Sequence, residues 1–226
     1  DLTVWARRPE ALEAYAAKGA KAAASVSELG AQCDHVGICV VNDADVLEIA
    51  RQLIPAMPPG GRIAIHSTVL PETVIALEAQ CDEAGLGLID APVSGGSPVA
   101  ERGELTVMCG GRQAAFDAAL PVFRTFGKLI VLLGPAGSGQ RAKIVNNAML
   151  SANMGVAMAA IEAAQALGLN RAAFVDLVNA SSGRSFGFEV FARLPSPNAF
   201  ATGAPMLLKD INVLKAVLPG HTGADE

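Results

Sequence analysis

From Leu2 to Leu133, short apolar runs alternate with longer stretches of helical periodicity, and beyond Ser138 the apolar runs stop. No other feature narrows the fold as far. Short apolar runs bounded by turns read as buried strands, and the helices between them as crossovers that carry the chain back to begin a parallel neighbour. The expected strands are Leu2–Ala6, His35–Val41, Arg62–Ile65, Gly87–Asp90, Leu105–Met108 and Leu129–Leu133. Helices are expected over Pro9–Lys18, Asp43–Leu53, Pro71–Ala84 and Gln113–Phe126. Ligands of such a sheet gather at the carboxyl ends of its strands.

The second part of the chain is of a different kind. Ser138 can cap a helix running to about Leu167, with Gly168 as its stop, and about 28–30 residues at 1.5 Å each span roughly 43 Å. Further helices are expected over Arg171–Asn179, Phe186–Arg193 and Pro205–Val217. The fold class is therefore α/β: a parallel-sheet domain over residues 1–133, then an all-helical domain over 134–226, joined by the long interdomain helix. Hydrophobic residues make up 51% of the sequence with only 4% aromatic, so the core is built from Ala, Val, Leu and Ile.

A net charge of −5 without a basic stripe leaves no electrostatic footprint for nucleic acid. No apolar run reaches the about 18 residues of a membrane span. The long helix comes closest, and its Asn146–Asn147 pair, Glu162 and Gln165 speak for an interior helix. Cys33, Cys39, Cys81 and Cys109 have neither CxxC spacing nor a neighbouring His, and they read as reduced, buried thiols of a cytoplasmic protein.

Two stretches carry the chemistry. In Gly134–Asn147, GPAGSGQRAKIVNN, a glycine-rich turn opens the long helix. Residues three and four apart share a helical face, so the Lys143 ammonium and the Asn147 amide can converge on one small ligand. In Asp90–Gly96, DAPVSGG, Pro92 biases Ala91 toward extended geometry, and Gly95 and Gly96 lack the Cβ atoms that would keep a ligand from the backbone. Ser94 and the N–H groups after it can cradle a carboxylate. His66, beside Ser67 at a strand end, reads as a structural residue.

Gly137, Gly139, Lys143, Asn146 and Asn147, taken with DAPVSGG upstream, resemble the β-hydroxyacid dehydrogenases, the family of 3-hydroxyisobutyrate dehydrogenase and tartronate semialdehyde reductase. The similarity runs from about Leu2 to Val217. It implies a Rossmann-type first domain and an NAD(P)-dependent oxidoreductase that interconverts a small β-hydroxy acid with its semialdehyde or keto form. By the same resemblance Lys143 is the general acid/base, Ser94, Gly95, Gly96 and Asn147 bind substrate, and Val41, Thr68 and Lys209 line the cofactor. Neighbours on a helix point in different directions, so of Lys209 and Asp210 only one is expected in the site, and Lys209 is chosen. Ser182 and Ser185, in SSGRSFGF, are also family-like. The reaction calls for neither a metal nor a covalent nucleophile.

An acid after the second strand would accept from the ribose 2′-OH, whereas an arginine suits a 2′-phosphate. Ala6, Arg7 and Arg8 stand there, so Arg7 favours NADP over NAD. A dinucleotide-binding domain opens with a strand and GxGxxG, and neither precedes Leu2, so the expectation is that a first βα unit lies upstream. GHTGADE resembles a segment near the family's C-terminus, which places further absent residues between about Val217 and Gly220. A small carboxylate is the expected substrate, among them 3-hydroxyisobutyrate, glycerate or tartronate semialdehyde, and 4-hydroxybutyrate, and the apolar long helix points to a homodimer or homotetramer. Two other readings stay open: an imine reductase, a related group that usually lacks the lysine, and a non-catalytic dinucleotide-binding scaffold on the same fold.

Overall fold

The computed structural model describes residues 1–194 and 204–218. The chain divides into two compact units, Asp1–Lys143 and Ile144–Glu226. The C-terminal segment GHTGADE and the junction after Leu218 lie outside the described residues.

In the first unit, β1 (Thr3–Val4) pairs in parallel with β2 (Lys21–Ala22) as a separate two-stranded sheet. Between them the expected single helix is instead a 3-10 turn, Pro9–Leu12, followed by the four-residue α1 (Glu13–Ala16). Neither piece buries a residue, so no packing extends them beyond the turn. The following α2 (Val26–Gln32) was not anticipated, although its start carries a capping box. Ser25 Oγ accepts from Glu28 N at 3.0 Å, and Glu28 Oε2 accepts from Ala24 N at 2.7 Å.

The main sheet holds β3 (His35–Ile38), β4 (Arg62–Ile65), β5 (Gly87–Asp90), β6 (Val93–Ser94), β7 (Leu105–Gly111) and β8 (Gly127–Leu132). Their order is β3-β4-β5-β7-β6, with β8 paired to β7. Helices α3 (Asp43–Leu53) and α4 (Pro71–Glu83) are the crossovers that make β3, β4 and β5 parallel, with His35 opposite Arg62 and Arg62 opposite Gly87. Beyond β5 the strand direction changes. The chain reverses through Pro92–Gly96 and the short α5 (Ser97–Glu101), so β7 returns antiparallel to both β5 and β6. After α6 (Gln113–Phe123), β8 runs parallel to β7.

Helices cover both faces, which is why these strands read as continuous apolar runs rather than alternating ones. On one face Val36, Ile38, Ile63, Ile65 and Leu88 pack with Val46, Leu53, Val74 and Leu77. On the other, Ala64, Ile89 and Val107 pack with Phe116, Ala119 and Phe123. Cys81 and Cys109 are buried thiols, Cys33 is half-buried, and Cys39 is exposed, contrary to expectation, because it follows β3 where the strand leaves its neighbours.

The second unit has no strand among its described residues. Helix α7 (Ser138–Ala166) continues through the boundary and is followed by α8 (Arg171–Asn179), α9 (Phe186–Ala192) and α10 (Ala204–Val217). Ala157 and Ile161 of α7 pack with Phe188 and Ala192 of α9, and Phe174 meets Phe188 edge-on at 6.4 Å. Gly187 permits that approach, since a Cβ there would lie 2.7 Å from Asn153 Cβ. Among the described helices, α7 alone is long and apolar enough to cross a membrane by length and composition.

Candidate active site

The carboxyl ends of β3, β4 and β5 meet the start of α7 around Asp90, a buried carboxylate. Gly137 N donates to Asp90 Oδ1 at 2.9 Å, and Gln140 N donates to Oδ2 at 2.8 Å. A helix leaves its first N–H groups without intrahelical acceptors, and a carboxylate there satisfies them and opposes the positive end of the helix dipole. Burial raises the Asp90 pKa, and the backbone N–H donors pull it back toward the ionised form. The seat is closely fitted. A Cβ on Gly110 would lie 2.5 Å from Asp90 Oδ1, and one on Gly139 would collide with the Met108 carbonyl.

Gln140 extends this contact. Its side chain is fully buried; Oε1 accepts from Val69 N at 3.1 Å and Nε2 donates to the Ser67 carbonyl at 2.9 Å. Ser67 Oγ in turn accepts from Val40 N at 2.7 Å. One amide side chain therefore grips the residues on either side of Thr68. Asp43 fixes the end of the same loop, its Oδ1 accepting from Leu70 N at 2.9 Å and from Thr73 Oγ1 at 2.6 Å. Nothing local in the sequence marks Gln140 or its partners Asp90 and Ser67, since these contacts are made across 50 to 73 residues.

Lys143 stands one residue short of a full turn beyond Gln140 on α7 and is half-buried. Asn147 follows one turn later and is buried; its Nδ2 donates to Asp210 Oδ2 of α10. The Lys209–Asp210 pair divides between burial and partial exposure. Asp210 is the buried member against Asn147, while Lys209 keeps 30% of its side chain exposed, with Nζ 3.8 Å from Asp210 Oδ1. That oxygen accepts no hydrogen bond among the described residues. The roughly 100° between helical neighbours forces one choice or the other, and sequence alone carried no sign of which.

The two glycines of DAPVSGG differ. A Cβ on Gly95 (φ +139) would strike Val99 at 2.7 Å, so packing as well as backbone conformation requires a glycine here. Gly96 (φ +72) has nothing nearer than Pro98 Cδ at 4.0 Å, which leaves its backbone approachable. Ser94 is half-buried in β6. Val41, just past β3, is 65% exposed, and Thr68 is half-buried beyond β4. Arg7 is engaged by two carboxylates of α3, Asp45 at 2.6 Å and Glu48 at 2.8 Å.

His66 sits with Nδ1 donating to the Ala91 carbonyl at 2.8 Å and its ring edge-on to Phe123 and Phe126, and burial lowers its pKa. It is a neutral packing residue. Ser185 caps α9, its Oγ accepting from Phe188 N at 3.0 Å, and Ser182 is exposed.

Comparison with known proteins bears on both units. A family model described as the NAD binding domain of 6-phosphogluconate dehydrogenase matches residues 1–134. A second, described as the NAD-binding of NADP-dependent 3-hydroxyisobutyrate dehydrogenase, matches residues 137–222. An uncharacterised oxidoreductase of Mycobacterium tuberculosis is 36% identical over 183 residues, covering 80% of this chain and 62% of its own length. Mitochondrial 3-hydroxyisobutyrate dehydrogenase of Drosophila melanogaster is 34% identical over 217 residues, 92% of this chain and 67% of that one. A solved structure of M. tuberculosis 3-hydroxyisobutyrate dehydrogenase with L-serine superposes with a TM-score of 0.83 at 25% identity, over 94% of this chain and 76% of the other. The chain spans 62% and 67% of the length of these two curated relatives.

Proposed function

This chain belongs to the β-hydroxyacid dehydrogenase family, and from that premise we infer that it is an NAD(P)-dependent oxidoreductase that interconverts a small β-hydroxy acid and its semialdehyde or keto form. The observation that carries this reading is the spacing on α7, where Lys143 and Asn147 follow one turn apart directly after a helix start fastened to the strand ends. Fold alone would not support an activity; a lysine and an amide at that place do.

The residues present fit a dinucleotide. Val41 offers exposed apolar surface just beyond a strand's carboxyl end, and Thr68 follows the next strand, where ligands of such sheets bind. Val41, Thr68 and Lys209 would hold the cofactor, whose nicotinamide supplies hydride transfer. The chain's own part is the proton and the geometry. In oxidation Lys143 Nζ takes the hydroxyl proton as the carbon–oxygen double bond forms and hydride leaves the carbon; in reduction the Lys143 ammonium returns a proton to the developing alkoxide. Asn147 orients the substrate oxygens, and Ser94, Gly95 and Gly96 receive the carboxylate. Arg7 favours a 2′-phosphate and hence NADP, with the condition that the phosphate draws the guanidinium away from Asp45 and Glu48.

Val145, Met149 and Val156 form one exposed apolar stripe on α7, and a homodimer or homotetramer would cover it. Sedimentation at micromolar concentration tests this; a monomer overturns it. The free thiols fit a reducing compartment such as the cytoplasm.

The activity is tested by mixing full-length protein with NADPH and then NADH against a panel of short carboxylated aldehydes and imines. Reduction of a carboxylated aldehyde, faster with NADPH, is expected. Consumption with imines alone, or with no substrate, overturns the reading.

A further inference from the structure

Gln140 and Asp90 make more contacts than a helix start requires. Capping needs one acceptor for the first N–H groups, and Asp90 supplies it with both oxygens. Beyond that, the Gln140 amide reaches back to hold Ser67 by its carbonyl and Val69 by its N–H, so the loop that presents Thr68 is tied on both sides to the first turn of α7. Asp90 closes the third side, because its strand β5 lies beside β4 and its carboxylate receives the Gln140 N–H. Every polar atom in this set that is named here has a partner, and the whole is buried. Gly110 and Gly139 make room for the carboxylate, since a Cβ on either would lie within 3 Å of one of its oxygens.

We propose that Gln140 and Asp90 are positioning residues, a buried polar clamp that holds the Thr68 loop in fixed register with the turn of α7 that bears Lys143. This rests on the dehydrogenase reading. If Thr68 lines the cofactor and Lys143 handles the proton, then the clamp sets how closely the hydride path and the proton path coincide. A polar network satisfied at every member holds a single arrangement, and misplacement of a reacting group by about 1 Å costs on the order of a hundredfold in rate. On that reading neither Gln140 nor Asp90 touches substrate or cofactor, and Val41, Lys209, Ser94 and Asn147 would hold them outside the clamp, so the clamp acts on turnover more than on binding.

The test uses full-length protein, and each variant is assayed at a temperature where circular dichroism shows it folded. Gln140→Leu removes both side-chain bonds while keeping the backbone N–H to Asp90, and Asp90→Asn replaces one acceptor with a donor facing N–H groups. For Gln140→Leu, kcat is expected to fall about ten- to a hundredfold, with KM for the aldehyde and the NADPH dissociation constant changed less than about twofold. For Asp90→Asn the fall is expected to be at least as large; should that variant not fold, Gln140→Leu decides alone. Wild-type turnover with kcat retained in folded Gln140→Leu overturns the proposal, as does a loss appearing only in KM. Absence of wild-type turnover would instead strike the dehydrogenase reading, and the two failures are thereby distinct.

Discussion

Two buried aspartates, one in each unit, are treated in opposite ways. Asp90 has both oxygens filled by backbone N–H groups, in a seat that only glycines at 110 and 139 leave open. Asp210 has one oxygen on the Asn147 amide and the other 3.8 Å from the Lys209 ammonium with no hydrogen bond among the described residues. A fully satisfied carboxylate fixes structure; one with an acceptor to spare beside a lysine and an asparagine is suited to receive something.

Asp90→Ala should have the largest effect on stability, because it strands buried N–H groups at Gly137 and Gln140. We expect a loss of about 3 kcal/mol or more in chemical denaturation. Asp210→Ala leaves the Asn147 amide without its acceptor and removes the partly exposed Lys209 ion pair, and its cost should be about 1–2 kcal/mol. Equal costs, or the reverse order, would break the contrast between the two sites.

Acid provides an effect of comparable size, carried among the described residues by the histidines of the first unit. Burial lowers the His35 pKa from its usual 6.5 to about 4, and burial lowers that of His66 as well. Because the folded values lie below the unfolded one, the unfolded chain binds more protons between about pH 6.5 and 4. Stability is therefore intact above pH 6.5 and is lost as pH falls through that window, by an amount of order 1–3 kcal/mol for His35. Asp90, with its raised pKa, works in the opposite sense, so the difference between wild type and His35→Phe isolates the imidazole. Among the described residues the second unit has no histidine. Hydrogen exchange should accordingly show loosening of β3 and β4 at pH 5 before α8 and α9. Simultaneous loosening would mean that the acid response lies elsewhere.

How much of this could be read from the sequence follows from the range of the interactions. Strands β3, β4 and β5 and their crossover helices announce themselves through local apolar runs and caps, and Lys143 and Asn147 through spacing on one helix. The reversal that makes β7 antiparallel was hidden, since the turn through Gly95 and Gly96 gives no direction by itself. Strand β2 is two residues long and fully exposed, too short for any periodicity. The clamp was hidden for a stronger reason: Gln140 is one glutamine in a glycine-rich turn, and its partners Ser67 and Val69 lie 73 and 71 residues away. Burial of Asp210 against Asn147 is likewise set by the packing of α10, which the dipeptide does not encode.

The central claim is that Lys143 moves the proton in a hydride transfer, and the most direct measurement compares full-length wild type with Lys143→Ala. NADPH consumption against the carboxylated aldehyde that wild type reduces would be followed alongside NADPH binding by fluorescence. A fall in kcat of about a hundredfold or more with unchanged NADPH affinity is predicted. Undiminished turnover in Lys143→Ala would contradict the account.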